Sequence, residues 1–236
     1  MAGLRPFPAL SGPGCASPST QADLWCWARG ADRGRILHAA RAFAASVGDA
    51  FRCERIVDGF RYDRGLDLTG YEDGTENPQD DDAVAAAIVQ GGGNGLDGSS
   101  YVAVQQWVHD LDRFAAKPQA ERDDIIGRRL SDNEELDEAP VSAHVKRTAQ
   151  ESFDPEAFVV RRSMPWADAR GEGLMFVAFG KSLDAFEVQL RRMMGEEDGV
   201  TDALFRFTRP VSGSYFWCPP VTGGKLDLSA LGMKST

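Results

Sequence analysis

The sequence has few of the residues that build metal clusters or disulfide frameworks. Its 236 residues include four cysteines and three histidines. No two of the cysteines form a C-x-x-C pair, so neither a zinc ribbon nor a dithiol redox motif is indicated. Scattered cysteines in a chain of this length are typical of reduced, mostly buried thiols.

The chain also lacks an excess of positive charge and any long apolar run. Lysine and arginine number 26 against 36 aspartates and glutamates, a formal net charge of −10. This acidity argues against nucleic acid or an anionic membrane surface as the main partner. No stretch approaches the roughly 20 apolar residues of a membrane span. Proline and glycine interrupt the N-terminus where a secretion signal is apolar, so a cytoplasmic location is expected.

The hydrophobic pattern predicts an α+β fold. Residues 1–21 are rich in proline, glycine and serine and are predicted to be irregular. A strand at 24–28, a helix that starts at Asp32 and stops at Gly48, and a strand at 51–60 follow. The second half predicts the order β-α-β-β-α-β, a split βαβ or ferredoxin-like unit. Its strands lie near 101–104, 158–160, 174–179 and 215–218, and its helices near 118–130 and 182–195.

Residues 70–78 read GYEDGTENP and are the most informative stretch. Glycine, aspartate, asparagine and proline together indicate a tight turn, and most such clusters are nothing more. Here Asp73 lies between two glycines, where the backbone can come close to a flat ligand because no Cβ stands in the way.

This turn resembles the signature of the dye-decolorising peroxidases, haem enzymes in which the aspartate of Gly-x-x-Asp-Gly lies above the iron. Asp67-Leu68-Thr69 extends the match upstream. The resemblance implies a dimeric α/β-barrel-like fold of two ferredoxin-like halves with antiparallel sheets. It implies one haem b per chain, bound by the second half. Residues 1–95 then form a first half without its opening strand-helix-strand, and 96–236 form the haem-binding half. The compact loops are similar to those of the bacterial B-type class.

The same resemblance selects an axial ligand from His38, His109 and His144. Only His144 stands in a Ser-x-His-Val stretch, similar to the one that carries the proximal iron ligand in the family. A carboxylate is expected on the other ring nitrogen, where it raises the basicity of the ligand. Asp184 and Glu187 are both candidates, and the sequence does not choose between them.

The resemblance also assigns the opposite face of the haem. Arg161 matches the distal arginine, Ser163 stands where the family often has asparagine, and Arg162 lies between them. The alternative is that both arginines pair with surface acids. Asp73 is the implied distal acid/base. The implied haem contacts come from Asp73, Gly74, Thr75, His144 and Arg161.

The implied activity is reduction of hydrogen peroxide with oxidation of organic substrates, dye-like or phenolic. Asp73 moves a proton between the peroxide oxygens, Arg161 stabilises the developing negative charge, and Ser163 holds a water. Two alternatives stay open: a haem-binding or haem-handling protein with little turnover, and an inactive truncated family member. A homo-oligomer is implied. Loading into encapsulin shells is not expected, because no long linker with an appended peptide follows the last strand.

Overall fold

The computed structural model describes residues 3–233. Within this range the chain divides into two compact units. Unit 1 comprises the described parts of Met1–Gln21 and Gly59–Thr236, and unit 2 comprises Ala22–Asp58. This division differs from the boundary at residue 95 that the sequence suggests. Within residues 3–233, no helix has the length and apolar character needed to cross a membrane.

Unit 2 consists of one helix and irregular chain. The helix α1 (Arg33–Val47) is confirmed, and Asp32 caps it by accepting a hydrogen bond from the Arg35 amide. The strands predicted at 24–28 and 51–60 are wrong, since residues 22–58 contain none and residue 59 makes only an isolated bridge to Trp166. A β-prone run becomes a strand only where a neighbour pairs with it.

Unit 1 begins with a short antiparallel hairpin of β1 (Leu10–Gly12) and β2 (Cys15–Ser17). The prediction of an irregular N-terminus is therefore wrong for residues 10–12 and 15–17. Phe7 and Leu10 are buried in the main core. The Gln21 amide exchanges two hydrogen bonds with the backbone of Tyr215, its Nε2 donating to the carbonyl at 2.7 Å and its Oε1 accepting from the amide at 2.9 Å.

The rest of unit 1 follows the predicted order of strands and helices, with added short helices and strands. The helices are α2 (Asp80–Ala87), α3 (Leu111–Ala115), α4 (Gln119–Ile126), α5 (His144–Arg147) and α6 (Asp184–Met193). The main strands are β3 (Ser100–His109), β4 (Val160–Arg161), β5 (Met164–Asp168), β6 (Gly171–Gly180), β7 (Thr208–Pro210) and β8 (Ser214–Cys218). A small hairpin pairs β9 (Val221–Thr222) with β10 (Lys225–Leu226), and short 3₁₀ turns lie at Gln150–Ser152, Ala203–Arg206 and Ser229–Leu231.

Six strands form one antiparallel sheet, which confirms the α+β fold class. The long strands β3 and β6 pair at its centre. Strands β4 and β5 pair with the outer edge of β6, and β7 and β8 pair with the outer edge of β3. From edge to edge the sheet therefore has the strand order of a ferredoxin-like unit.

The main core lies between this sheet and α6. The helix buries Phe186, Leu190 and Met193, and Leu183 directly before it is also buried, which is the face that the sequence periodicity predicts. The Tyr215 ring of β8 packs against Phe7 at a centroid distance of 4.7 Å. A second, smaller core holds Tyr71, Phe114, Ile125, Ala203 and Phe207. This second core connects the 70–78 segment to the sheet.

Candidate active site

Residues 70–78 form the acidic turn. Side chains of two neighbouring segments fix this turn through hydrogen bonds. The Tyr71 hydroxyl donates a hydrogen bond to the Asp123 carboxylate at 2.5 Å. The Asn133 amide donates to Glu72 at 3.1 Å and to the Thr75 hydroxyl at 2.9 Å. Thr75, implied as a haem contact, therefore uses its hydroxyl oxygen within the protein.

The end of the turn is fixed in the same way. Arg128 pairs with the Glu76 carboxylate, and the Gln150 amide donates to the Glu76 carbonyl at 3.0 Å. Gln150 also accepts a hydrogen bond from the Val159 amide at 2.8 Å, just before β4. The acidic turn is therefore tied to the strand that carries Arg161.

A buried carboxylate–imidazole pair supports the start of the turn. His109, the last residue of β3, lies 3.1 Å from Asp67 through Nε2 and 2.6 Å from the Thr208 hydroxyl through Nδ1. Burial alone would raise the pKa of Asp67. Hydrogen bonds from His109 and Thr69, with the charge of His109, outweigh burial and hold this pKa below its ordinary value. Asp67 thus acts as a charged anchor for the turn.

Asp73 and Arg161 face each other across a short gap. The Arg161 Nη1 atom lies 3.8 Å from Asp73 Oδ1, and both side chains are mostly buried. The separation allows a strong electrostatic interaction but is too long for a hydrogen bond. Arg162 is exposed, and its guanidinium donates to the Arg161 carbonyl. Of the two neighbouring arginines, Arg161 is therefore the one brought to Asp73.

Ser163 belongs to the same small pocket as Asp73. Met164, Leu174 and the loop at 60–66 provide other parts of the wall. The Ser163 hydroxyl lies 3.4 Å from the Val177 amide, which donates to it. The hydroxyl proton remains directed away from that amide and can donate to a small molecule in the pocket.

His144 is oriented by an aspartate that the sequence analysis did not identify. Its Nδ1 lies 2.8 Å from Asp202 Oδ2, and the Asp202 side chain is fully buried. Asp184 and Glu187, the candidates from the sequence, are wrong for this role. Both instead pair with Arg5, and Glu187 also pairs with Arg191. The position of these two acids on a helix does not show which carboxylate lies beside His144, because the loop after α6 provides it.

The segments on either side of this pair are fixed as well. Asp202 also accepts a hydrogen bond from the Leu204 amide at 2.8 Å, and the Ala203 amide donates to the Ser142 carbonyl. On α5, the buried Arg147 guanidinium holds Asp198 through two hydrogen bonds, at 2.7 and 2.8 Å. The imidazole and its carboxylate therefore have little freedom to move.

The donor set around His144 fits the axial side of a haem. A carboxylate only accepts hydrogen bonds, so Nδ1 carries the ring proton and Nε2 keeps its lone pair. Among residues 3–233 Nε2 has no hydrogen-bond partner, and the side chain is 22% exposed. A histidine fixed by a buried carboxylate is the usual arrangement of a haem-iron ligand. His38 is exposed on α1, and both ring nitrogens of His109 are engaged, so neither offers this arrangement.

A family model and several known proteins match this chain. The model described as "Dyp-type peroxidase, C-terminal" matches residues 64–223. A dye-decolorizing peroxidase of Mycobacterium tuberculosis is 33% identical over 92% of this chain and 67% of its own length. The enzyme of the same description from Brevibacterium linens is 32% identical over 92% of this chain and 61% of its own length. The chain thus spans 61% to 67% of the length of these two relatives.

Solved structures agree with these matches. DyPB from Rhodococcus jostii RHA1 superposes with a TM-score of 0.84 at 32% identity, over 93% of this chain and 72% of that chain. A variant of the same Rhodococcus protein, determined in complex with heme, gives 0.84 over 93% of this chain and 73% of that chain, also at 32% identity. A dye-decolorizing protein from V. cholerae gives 0.81 at 30% identity, covering 93% and 74%.

Proposed function

Because this chain belongs to the dye-decolorising peroxidase family, we propose that it is a haem-dependent peroxidase that reduces hydrogen peroxide and oxidises organic substrates, dye-like or phenolic. The observation that carries the proposal is the Asp73–Arg161 pair at 3.8 Å. A carboxylate and a permanent cation that are close but not bonded to each other can both act on a third molecule.

The proposed haem ligand is His144. Asp202 would keep the ring proton on Nδ1 and fix the ring, which leaves Nε2 to hold the iron. Gly74, Thr75 and Arg161 are proposed as further haem contacts. When bound, the haem supplies the redox chemistry, namely cleavage of the peroxide O–O bond and one-electron oxidation of the reductant.

Asp73 is the proposed acid/base. Its carboxylate takes a proton from one peroxide oxygen and delivers it to the other, which leaves as water. General acid–base catalysis by a positioned group contributes about 10²–10⁴-fold. The partial burial of Asp73, beside an arginine, limits competition from bulk water for the proton.

Arg161 and Ser163 are the proposed partners of Asp73. The positive charge of the arginine stabilises the negative charge that develops as the O–O bond breaks. The Ser163 hydroxyl lines the same pocket as Asp73 and can hold a water there.

The test compares two adjacent arginines. We expect purified protein supplied with haem to give a ferric Soret band and peroxide-dependent oxidation of a dye or phenol. Arg161→Ala should lower kcat/KM for peroxide by about 100-fold, the typical effect of removing one charge-stabilising donor. Arg162→Ala, at the exposed neighbouring position, should stay within about twofold. No Soret band in the wild type, or equal effects of the two substitutions, would refute the proposal.

The alternatives predict different results. A haem-handling protein retains the Soret band but shows negligible peroxide turnover in the wild type. An inactive family member gives aggregated protein, or protein that does not bind haem. Size-exclusion chromatography monitored at both protein and haem wavelengths separates these outcomes.

We further propose a cytoplasmic, homo-oligomeric protein. Support for assembly comes from large apolar side chains that are well exposed in unit 1, among them Val141, Val221 and Leu226. Light scattering coupled to size exclusion gives the mass of the particle. A mass of one chain at micromolar concentration would count against assembly.

A further inference from the structure

Asn77 joins the acidic turn to the strand that carries Arg161. Its Nδ2 donates to the Arg161 carbonyl at 3.0 Å, and its Oδ1 accepts from the Arg161 amide at 2.7 Å. The next amide, that of Arg162, instead donates to Val177 on β6. The backbone groups of Arg161 therefore point away from β6, and the Asn77 amide pairs with them as a neighbouring strand would.

Gly74 leaves the space that this amide occupies. A Cβ built at position 74 would lie 2.7 Å from Asn77 Nδ2, and the backbone there has φ +79°. Separately, the backbone N–H of Asn77 donates to the Gly74 carbonyl at 3.0 Å, which closes the turn directly after Asp73. One asparagine thus contacts both the residue after Asp73 and the backbone of Arg161.

No hydrogen bond between the two functional side chains fixes their separation within residues 3–233. Among residues 3–233, neither the Asp73 carboxylate nor the Arg161 guanidinium makes a hydrogen bond, and the 3.8 Å ion pair is their one polar contact. Their separation must therefore be set by the backbones from which they extend. The Asn77 amide is the direct bridge between those backbones.

We infer that Asn77 is a positioning residue, which holds Asp73 and Arg161 at the separation that the peroxide reaction needs. This inference rests on the proposed peroxidase function. A displacement of about 1 Å between reacting groups can cost about 100-fold in rate. Loss of the bridge should therefore affect the peroxide step far more than haem binding, because His144 is fixed by separate segments.

Asn133 provides the matched control. It is also an asparagine bound to the acidic turn, through Glu72 and Thr75, but it makes no contact with Arg161. A purely structural role of Asn77 predicts that Asn77→Ala and Asn133→Ala behave alike. A positioning role predicts that they differ in the peroxide step.

The kinetic experiment uses the haem-loaded protein. We expect Asn77→Ala to lower kcat/KM for peroxide by about 10- to 100-fold, with the Soret band and the KM for the organic reductant retained. Asn133→Ala should remain within about threefold of wild type. Equal losses for Asn77→Ala and Asn133→Ala would overturn the inference.

A second measurement needs no haem. Hydrogen exchange followed by mass spectrometry on the haem-free chain should show faster exchange in a peptide spanning 158–163 for Asn77→Ala, but not for Asn133→Ala. Unchanged exchange there would overturn the inference even if the wild type had no turnover. If the wild type showed no turnover but the exchange result held, only the proposed function would be refuted.

A double-substitution cycle tests the contact with Gly74. Gly74→Ala should displace the Asn77 amide, so Gly74→Ala combined with Asn77→Ala should cost little more in kcat/KM than either alone. Fully additive losses would overturn the bridge, because they would mean that the two positions act separately.

Discussion

The two groups of proposed functional residues, one around His144 and one around Asp73, are held in opposite ways. His144 is bonded at 2.8 Å to a fully buried carboxylate. Asp73 and Arg161 are 3.8 Å apart and bonded to nothing else among residues 3–233. A metal ligand works best with one orientation and one protonation state. A group that transfers a proton needs unused hydrogen-bonding capacity.

The surrounding frames, by contrast, are both fixed by hydrogen bonds. On the histidine side, the segments are fixed by Arg147 and by the backbone hydrogen bond from Ala203 to Ser142. Asn77 and the anchors of the acidic turn fix the other side. The contrast is therefore confined to the functional side chains, and substitutions on each side should have separate effects.

The largest expected effect is the loss of haem. His144→Ala removes the proposed ligand, so the ferric Soret band and haem retention on a desalting column should both disappear. His38→Ala, on the exposed face of α1, is the control and should bind haem like the wild type. An unchanged spectrum in His144→Ala would move the ligand elsewhere.

The next effect isolates the opposite side. Asp73→Ala should lower the rate of reaction with peroxide by about 10²–10⁴-fold while the haem spectrum persists. Asp81→Asn, an exposed acid in the first turn of α2, serves as the charge control. Stopped-flow mixing with peroxide measures the rate directly. Equal rates in Asp73→Ala and the control would remove Asp73 from the chemistry.

A smaller effect is expected from the carboxylate behind the histidine. Asp202→Asn keeps the shape but removes the charge, which should reduce haem affinity or activity by about 10- to 100-fold. Asp184→Asn alters one of the acids that the sequence favoured, and its side chain is 72% exposed. Haem titration of both variants decides which carboxylate matters. The same affinity in both would mean that the Asp202 charge does not tune the ligand.

The smallest effect concerns the stability of the acidic turn at low pH. The folded-state pKa of Asp67 is lowered, so its contribution is present above the ordinary value near 4 and is lost as pH falls through the folded value. Asp67→Asn lacks this contribution. The difference in free energy of unfolding between wild type and Asp67→Asn should therefore shrink as pH falls from 6 to 3, measured by urea titration. A constant difference would contradict the His109–Asp67 interaction.

Sequence patterns predicted the parts of the fold whose signal is local. The spacing of three to four residues between buried side chains of α6 is one such signal, and the apolar run of β3 is another. Asp32 and Gly48 bound α1 because capping chemistry acts within one turn. Turn chemistry identified the acidic turn, and its motif led to Asp73.

The remaining features depend on contacts between distant residues. Asp202 lies 58 positions from His144, in a loop without a motif, and only the return of the chain after α6 brings them together. The N-terminal segment reads as irregular because proline and glycine dominate it, yet Phe7 fills a site between Tyr215 and Phe186. Asn77 was visible within the motif, but its partner, the backbone of Arg161, was not.

The way in which Gln21 and Phe7 are joined to Tyr215 has a consequence for a nicked chain. These contacts hold the first residues of unit 1 to its last main strand, although residues 22–58 form a separate unit between them. Limited proteolysis within the irregular parts of 22–58 should therefore give two fragments that remain associated. Such a sample elutes as one particle under native conditions and separates into two bands only after denaturation. Unit 1 should therefore stay folded after the chain is cut between its two segments.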